Sequence, residues 1–219
     1  MEGPMDQKCR QALELNGPAP DFEANTTHGV LKLSEWAAGQ WVILFSHPAD
    51  FTPVCTTELI AFAKLFEQFE QRGVKLIGCS IDSNFSHIAW MRNIEEKFGV
   101  RIPFPVIADI DQNVSGLYGM IHKASATTAA VRCVFFIDPM MTIRAMIYYP
   151  LSVGRNFDEI LRVVDALQTV DRHAVACPAD WKPGRPVIVP PPGTTREAEE
   201  RMSEPYLTVT DWYFSEREL

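Results

Sequence analysis

The chain has 219 residues, 47% of them apolar and 22% charged, with a net charge of −8. This length suits one globular domain with an appendage. The negative charge argues against binding to nucleic acid or to an anionic membrane surface. Apolar runs end too soon to cross a bilayer, and charged residues interrupt any signal peptide near the N-terminus. We therefore expect a cytoplasmic protein.

The five cysteines occur singly, with no Cys-x-x-Cys pair, at positions 9, 55, 79, 133 and 177. An odd, unclustered set argues against a secreted disulfide framework and against zinc sites. The five histidines are also far apart in the sequence. We therefore expect no metal site, and reduced thiols of which one or two are reactive.

The first 40 residues indicate an extended lead-in with turns, and a regular pattern begins at Trp41. From there, short apolar runs alternate with segments whose apolar residues recur at helical spacing. Such alternation predicts an α/β fold in which helices cover a sheet. We expect strands at 41–46, 74–80, 105–108, 131–137 and 142–148, and helices at about 56–72, 84–98 and 156–172.

The composition changes after Cys177, because seven of the 16 prolines lie between Pro178 and Pro205. Thr194 and Glu197 form the pattern of a capping box, which predicts a short helix there. We expect this tail to form no core of its own and to pack on a second copy of the chain. The apolar residues that need burial are Val187, Ile188, Val189, Trp212, Tyr213 and Phe214.

Cys55 lies at the start of a predicted helix, at the end of a run that begins at Pro48 just after a buried strand. Unpaired backbone N–H groups and the positive end of the helix dipole favour the thiolate there. A thiolate that attacks a peroxide also needs a nearby positive charge, donors for the oxygens and shielding from water. Thr52, three residues earlier, can direct its hydroxyl at a peroxide, while Pro48 and Pro53 fix the turn.

Arg132 and Glu58 are the candidate charged partners of this cysteine. Arg132 opens an apolar strand, and an arginine in such a run either meets an anion or lies at a strand end. Glu58 falls one turn into the helix, where it can orient Arg132 or act as a favourable charge near the helix N-terminus. The residues alone leave both alternatives open.

The stretch from Phe45 to Glu58, with its Pro-x-x-x-Thr-x-x-Cys motif, resembles the active-site loop of peroxiredoxins, specifically of their one-cysteine (peroxiredoxin 6) group. The similarity runs from about residue 17 to the end of the chain. Further matching segments are Ser80-Ile81-Asp82-Ser83 with His87-x-x-Trp90, Arg132-Cys133-Val134-Phe135, 149–150, 154–159 and the tail from Val187 onwards.

The resemblance implies a thioredoxin-like fold that reduces hydrogen peroxide and organic hydroperoxides, without metal or haem, in defence against oxidative stress. It implies that Cys55 is the peroxidatic cysteine and is oxidised to a sulfenic acid. Thr52 and Arg132 would bind the peroxide, and Pro48 would shield the site.

Two further residues would line the substrate pocket by the same resemblance, namely His47 and Arg155. Each has an ordinary structural alternative. His47 could simply end a buried strand, and Arg155 could be a charge at the start of a helix.

The resemblance also suggests a domain division and partners. Residues 1–16 would be an N-terminal lead-in, 17–173 the peroxidase domain, and 174–219 a dimerisation extension that packs on a partner subunit. The expected assembly is a homodimer or a larger ring such as a decamer. The expected reductant is a thioredoxin-type protein or a small thiol.

Cys177 lies in a segment that resembles the resolving-cysteine motif of two-cysteine peroxiredoxins, although one-cysteine members typically lack a cysteine there. A resolving thiol condenses with a sulfenic acid to give a disulfide. The alternative is an incidental thiol. We expect Cys79 and Cys133, in buried strands, to be structural and Cys9 to be idle.

Two other functions compete with a peroxidase. A thiol–disulfide oxidoreductase needs a Cys-x-x-Cys pair at the helix start, and Cys55-Thr56-Thr57-Glu58 lacks it. A peroxide sensor or holdase chaperone would use the same reactive cysteine, so the motif leaves it open as an additional role.

Overall fold

The computed structural model describes residues 13–126 and 128–219. It divides into two compact units, of which the first ends at Arg155 and the second is Asn156–Leu219. The helix that follows Asn156 therefore belongs to the second unit, whereas the sequence indicates a boundary after residue 173. That boundary stays a prediction, and most of the proposed lead-in, including Cys9, lies outside the described residues.

The first unit contains a sheet of seven strands in the order β2-β1-β5-β4-β3-β6-β7. The strands are β1 (Glu23–Thr26), β2 (Gly29–Lys32), β3 (Trp41–Ser46), β4 (Val74–Ser80), β5 (Val106–Ala108), β6 (Arg132–Ile137) and β7 (Ile143–Tyr149). Its helices are α1 (Leu33–Ala37), α2 (Pro53–Lys64), α3 (Phe66–Gln71), α4 (Asn84–Phe98) and α5 (Asn113–Leu117).

β3 and β6 are neighbouring interior strands in which every residue is buried. Continuous apolar runs suit strands that are covered on both faces. β3, β4 and β5 are parallel, and helices α2 to α4 connect them, which confirms the predicted βαβ arrangement. β6 pairs antiparallel with β3 and with β7, so the sheet is mixed.

Two local features differ from the sequence expectations. The single helix predicted at 56–72 is two helices, because Leu65 leaves the helical conformation with φ −97° and ψ 2°. The segment expected to be an extended lead-in contains the hairpin of β1 and β2. Its strands are only four residues long and largely exposed, so they carry little hydrophobic signal.

The second unit begins with a long helix and continues into a small sheet. Its elements are α6 (Phe157–His173), β8 (Val187–Val189), α7 (Thr195–Arg201), β9 (Thr208–Asp211) and β10 (Phe214–Arg217), with the strand order β8-β10-β9. The predicted capping box is confirmed, since Thr194 and Glu197 bond reciprocally at the start of α7. In the described part of the chain, no helix is both long and apolar enough to cross a membrane.

Two apolar residues of the tail are buried against residues that precede it. Val187 is fully buried and forms a small cluster with Val175 and Trp181. Ala166 of α6 packs against this cluster, so the preceding helix supplies part of the cover. The ring-bearing residues near the C-terminus stay largely exposed: Trp212 at 45%, Tyr213 at 55% and Phe214 at 38%.

Candidate active site

Cys55 lies in the first turn of α2, where Thr52 is the N-cap residue and Pro53 the first helical residue. Proline suits that position because its missing N–H would have no partner within the helix. Phe51, just before the N-cap, has φ 54°, which gives the tight turn that the chain needs between β3 and α2. The thiol of Cys55 is completely buried.

Arg132 connects this thiol to a carboxylate. Its Nη1 donates to Cys55 Sγ at 3.3 Å and to Glu58 Oε2 at 2.7 Å. Its Nε and Nη2 donate to the Leu151 carbonyl at 2.9 and 2.8 Å. A guanidinium held from three sides keeps a fixed orientation, and a charge-assisted bond to sulfur stabilises a thiolate. The structure thus brings together three of the predicted site residues.

Glu58 binds a second guanidinium, that of Arg155. Arg155 donates from Nε to Oε1 at 3.0 Å and from Nη2 to Oε2 at 2.7 Å, and its backbone N–H bonds Oε1 at 3.0 Å. Its Nη1 donates to the carbonyls of Ser46 and Cys133. The side chain of Arg155 is completely buried. Glu58 and two backbone carbonyls thus accept from four of the five N–H groups of this guanidinium.

The charges in this cluster balance in one protonation state only. Arg132 and Arg155 supply two positive charges and Glu58 one negative charge, and no side chain of the three is more than 3% exposed. Buried charge is costly unless it is compensated. A thiolate on Cys55 would make the cluster neutral, whereas a thiol would leave one excess positive charge.

Pro48 and Thr52 are only partly buried, in contrast to Cys55. The hydroxyl of Thr52 donates to the Ala49 carbonyl at 2.9 Å. With its proton used in this way, the oxygen can still accept a hydrogen bond.

His47 is completely buried and belongs to a network that the sequence analysis missed. Its Nε2 lies 2.8 Å from Asp50 Oδ1, and Nδ1 of His87 lies 2.8 Å from Asp50 Oδ2. Burial lowers the pKa of His47. Burial would raise the pKa of Asp50, but the bonds from both imidazoles outweigh it and hold that pKa well below its usual range. The sequence signal that could have indicated this network was the pair of matching segments Ser80-Ile81-Asp82-Ser83 and His87-x-x-Trp90.

The three residues of this network are close enough to be considered as a metal site, with their ligand atoms within 4.8 Å of one another. However, one nitrogen of each histidine, Nε2 of His47 and Nδ1 of His87, already lies at hydrogen-bond distance from the Asp50 carboxylate. The arrangement is that of a hydrogen-bonded chain, which does not require an ion.

The remaining described cysteines have separate environments. Cys79 and Cys133 are buried in β4 and β6, as predicted. Burial raises the pKa of both thiols, that of Cys133 to about 11, so they stay protonated at neutral pH. Cys177 belongs to the second unit, where it is partly buried with Sγ 3.7 Å from the Ala166 carbonyl.

Comparison with known proteins gives a consistent result over both units. Residues 15–146 match the AhpC/TSA family, and residues 166–204 match the C-terminal domain of 1-Cys peroxiredoxin. A peroxiredoxin of Aquifex aeolicus is 56% identical over 215 residues, covering 94% of this chain and 96% of the relative. Peroxiredoxin 2 of Caldanaerobacter subterraneus is 55% identical over 202 residues, covering 91% and 90%.

Solved structures agree with the sequence relatives. A yeast mitochondrial 1-Cys peroxiredoxin superposes with a TM-score of 0.85 at 41% identity, covering 94% of this chain and all of the other. A cysteine-to-serine mutant of peroxiredoxin 6 of Arenicola marina gives 0.85 at 37% identity, covering 94% and 98%. The expected thioredoxin-like fold and family resemblance are thereby confirmed. The chain belongs to the AhpC/TSA family of peroxiredoxins, carries the C-terminal domain of the 1-Cys type, and is a thiol-dependent peroxidase.

Proposed function

We propose that Cys55 is the nucleophile of this peroxidase. The observation that carries the proposal is the 3.3 Å contact between Arg132 Nη1 and Cys55 Sγ in a site from which solvent is excluded. The Cys55 thiolate attacks the hydroxyl oxygen of the peroxide, and the S–O bond forms as the O–O bond breaks. The departing oxygen takes up a proton and leaves as water or an alcohol, while Cys55 becomes a sulfenic acid.

Arg132 has one donor to spare for the substrate. Four of its five guanidinium N–H groups have acceptors among the described residues, and the second N–H of Nη2 is the remaining one. We expect it to donate to the peroxide, while the oxygen of Thr52 accepts from the peroxide hydroxyl. Pro48, which is partly exposed, would limit access of water.

Glu58 would orient Arg132 by the 2.7 Å bond between them. Arg155 was expected to line the substrate pocket. Its guanidinium is completely buried, and four of its five N–H groups bond Glu58 and two carbonyls. We therefore propose that Arg155 acts through Glu58 as a positioning residue. His47 remains a proposed acceptor for the peroxide through its Nδ1, which has no hydrogen-bond partner among the described residues.

Reduction of the Cys55 sulfenic acid back to a thiol requires a second thiol, which forms a disulfide with it, and a reductant that opens this disulfide. We propose Cys177 as the resolving thiol and a thioredoxin-type protein or small thiol as the final reductant. The related yeast 1-Cys enzyme is described as using glutathione and thioredoxin systems, which supports this choice. An incidental role for Cys177 remains the alternative.

We also propose association of the second units of two chains, as a homodimer or as part of a decamer. The exposed rings of Trp212, Tyr213 and Phe214 support such an interface. A sensor or holdase role would be additional to catalysis and would use the same Cys55. A cytoplasmic location stays an expectation from the sequence.

The test compares substitutions at two cysteines and two arginines in the purified protein, supplied with dithiothreitol and hydrogen peroxide. We expect Cys55→Ser to consume no peroxide, while Cys79→Ser, which removes a buried thiol elsewhere, keeps turnover. Arg132→Lys retains the charge but not the planar set of donors, and we expect about a 100-fold loss in the rate of Cys55 oxidation. Arg144→Lys, at a cation paired with Asp138, is its control.

Wild-type turnover in Cys55→Ser would refute the assignment of the nucleophile. Consumption of only one peroxide per chain by the wild-type protein, with reductant in excess, would favour sensing over catalysis.

A further inference from the structure

Asp50 lies between two imidazoles that come from different parts of the first unit. His47 follows β3, and His87 lies on α4. Both contacts to the carboxylate are 2.8 Å, and the side chains are at most 1% exposed. The Asp50 side chain therefore connects the turn that carries the active site to helix α4.

The hydrogen-bond partners of His87 determine how many protons it carries. Nδ1 faces the carboxylate of Asp50, and Nε2 faces the carbonyl of Ile107 at 3.1 Å. Both oxygens are acceptors, so both nitrogens must donate if Asp50 is ionised. His87 would then be an imidazolium, and its charge would cancel that of the buried carboxylate, as buried charges require.

The same carboxylate fixes the tautomer of His47. Its Nε2 faces Asp50 Oδ1 and must donate, while burial favours the neutral ring. The single proton then resides on Nε2, and Nδ1 is a bare acceptor. That Nδ1 is completely buried and has no hydrogen-bond partner in the described part of the chain.

Asp50 also shapes the turn before the nucleophile. Its backbone N–H donates to Asp82 Oδ2 at 3.0 Å, and that oxygen accepts from Ser80 Oγ at 2.7 Å. The next residue, Phe51, has the left-handed conformation, and Thr52 follows as the N-cap of α2. The side chain and the backbone of Asp50 are thus both held at the point where the turn begins.

We propose that Asp50 and His87 are positioning residues of the peroxidase, forming a buried carboxylate–imidazolium pair that holds His47 with its proton on Nε2 and its Nδ1 free to accept the O–H of hydrogen peroxide that does not bond Thr52. This inference rests on the proposed function, in which Cys55 reacts and His47 faces the substrate. Partners that fix a histidine tautomer are worth about 10- to 100-fold in activity at metal sites, and we expect an effect of similar size here.

The first test is spectroscopic and uses the wild-type protein. Solid-state NMR of protein labelled with ¹⁵N-histidine distinguishes an imidazolium from either neutral tautomer, and removing one histidine at a time assigns the signals. We expect two protonated nitrogens on His87 and a proton on Nε2 only for His47. A neutral His87, a proton on Nδ1 of His47, or shifts that change on treatment with EDTA would overturn the proposal.

The second test compares two substitutions of Asp50. Asp50→Asn can satisfy both rings, because its amide can donate to Nδ1 of a neutral His87 while its oxygen accepts from His47 Nε2. Asp50→Leu leaves both rings without a partner. We therefore expect Asp50→Leu to slow oxidation of Cys55 by hydrogen peroxide about tenfold or more, and Asp50→Asn to remain close to wild type with a neutral His87.

Alkylation of Cys55 by iodoacetamide is the control, since it needs the thiolate but no acceptor for a peroxide O–H. We expect the alkylation rate of both variants to equal that of the wild-type protein. Equal peroxide rates in Asp50→Leu and wild type, or equal losses in peroxide and iodoacetamide rates, would refute the positioning role. Failure of the proposed function would show instead as turnover in Cys55→Ser.

Discussion

The carboxylate of Glu58 receives three hydrogen bonds from Arg155, two on Oε1 at 3.0 Å and one on Oε2 at 2.7 Å. The same Oε2 also accepts from Arg132, which reaches the sulfur of Cys55. One buried carboxylate therefore fixes both guanidinium groups at the active site. Its removal should affect stability and catalysis together.

Glu58→Gln should destabilise the fold by about 3 to 5 kcal/mol, because it removes the carboxylate shared by two buried guanidinium groups and leaves an uncompensated positive charge. It should also slow oxidation of Cys55 by hydrogen peroxide, since Arg132 loses the group that orients it. Urea unfolding and stopped-flow fluorescence measure the two effects. Glu159→Gln, at a surface pair with Arg162, is the matched control and should cost less than about 1 kcal/mol. Equal losses in the two variants would contradict this account.

Gly78→Ala should disturb the packing of Phe45, a ring that supports the site. A Cβ at Gly78 would lie 3.2 Å from Cζ of Phe45, which is stacked on Phe62 at 4.0 Å. The guanidinium of Arg155 lies over the Phe45 ring at 5.2 Å. We expect overpacking to cost about 1 to 3 kcal/mol in urea unfolding.

Gly193 provides the control for that substitution, because a Cβ there would meet nothing within 4 Å. Gly193→Ala should leave the free energy of unfolding within about 0.5 kcal/mol of wild type. A neutral Gly78→Ala would mean that Phe45 can move aside without strain.

The parts of this structure that could be predicted from sequence are those with a strong local signal. The strands at 41–46 and 74–80 are continuous apolar runs between turn residues, and their bounds agree with β3 and β4. The break at Leu65 could not be predicted, because apolar residues recur at helical spacing on both sides of it. The strands of the C-terminal sheet are three or four residues long, too short for a periodic pattern.

The candidate site also contains residues that the sequence could predict and contacts that it could not. Cys55 and Glu58 lie in one local motif, and Arg132 was conspicuous as a charge in an apolar strand. The link between Asp50 and His87 spans 37 residues and depends on how α4 packs beside β5, which no local pattern encodes. The hydrogen bonds between Arg155 and Glu58 likewise depend on tertiary structure, because the two residues are far apart in the sequence.

The buried thiol of Cys133 should make stability fall between pH 9 and pH 11. Burial raises its pKa from 9.0 to about 11, so in this range the unfolded chain loses the proton while the native protein keeps it. Below pH 9 both states are protonated, and this contribution is constant. The loss across the window is about 3 kcal/mol.

Urea unfolding with reductant at several pH values tests this against Cys133→Ala. The variant lacks the thiol but retains the other groups that titrate in alkali, so the difference between the two proteins isolates Cys133. We expect wild type to lose about 3 kcal/mol more than the variant from pH 9 to pH 11. Parallel curves would contradict the prediction.

Cys177 should form a disulfide with Cys55 after one equivalent of peroxide, as the sulfenic acid condenses with the thiol and releases water. Burial raises the pKa of Cys177, and the charge of Arg162 only partly opposes this. Little thiolate is then present at pH 7, so disulfide formation should accelerate roughly tenfold per pH unit between pH 7 and pH 9.

Non-reducing electrophoresis and mass spectrometry of the joined peptides measure the disulfide between Cys55 and Cys177. Cys79→Ala should form it normally and Cys177→Ser should not; a persistent Cys55-linked dimer in Cys177→Ser would instead assign resolution to another thiol.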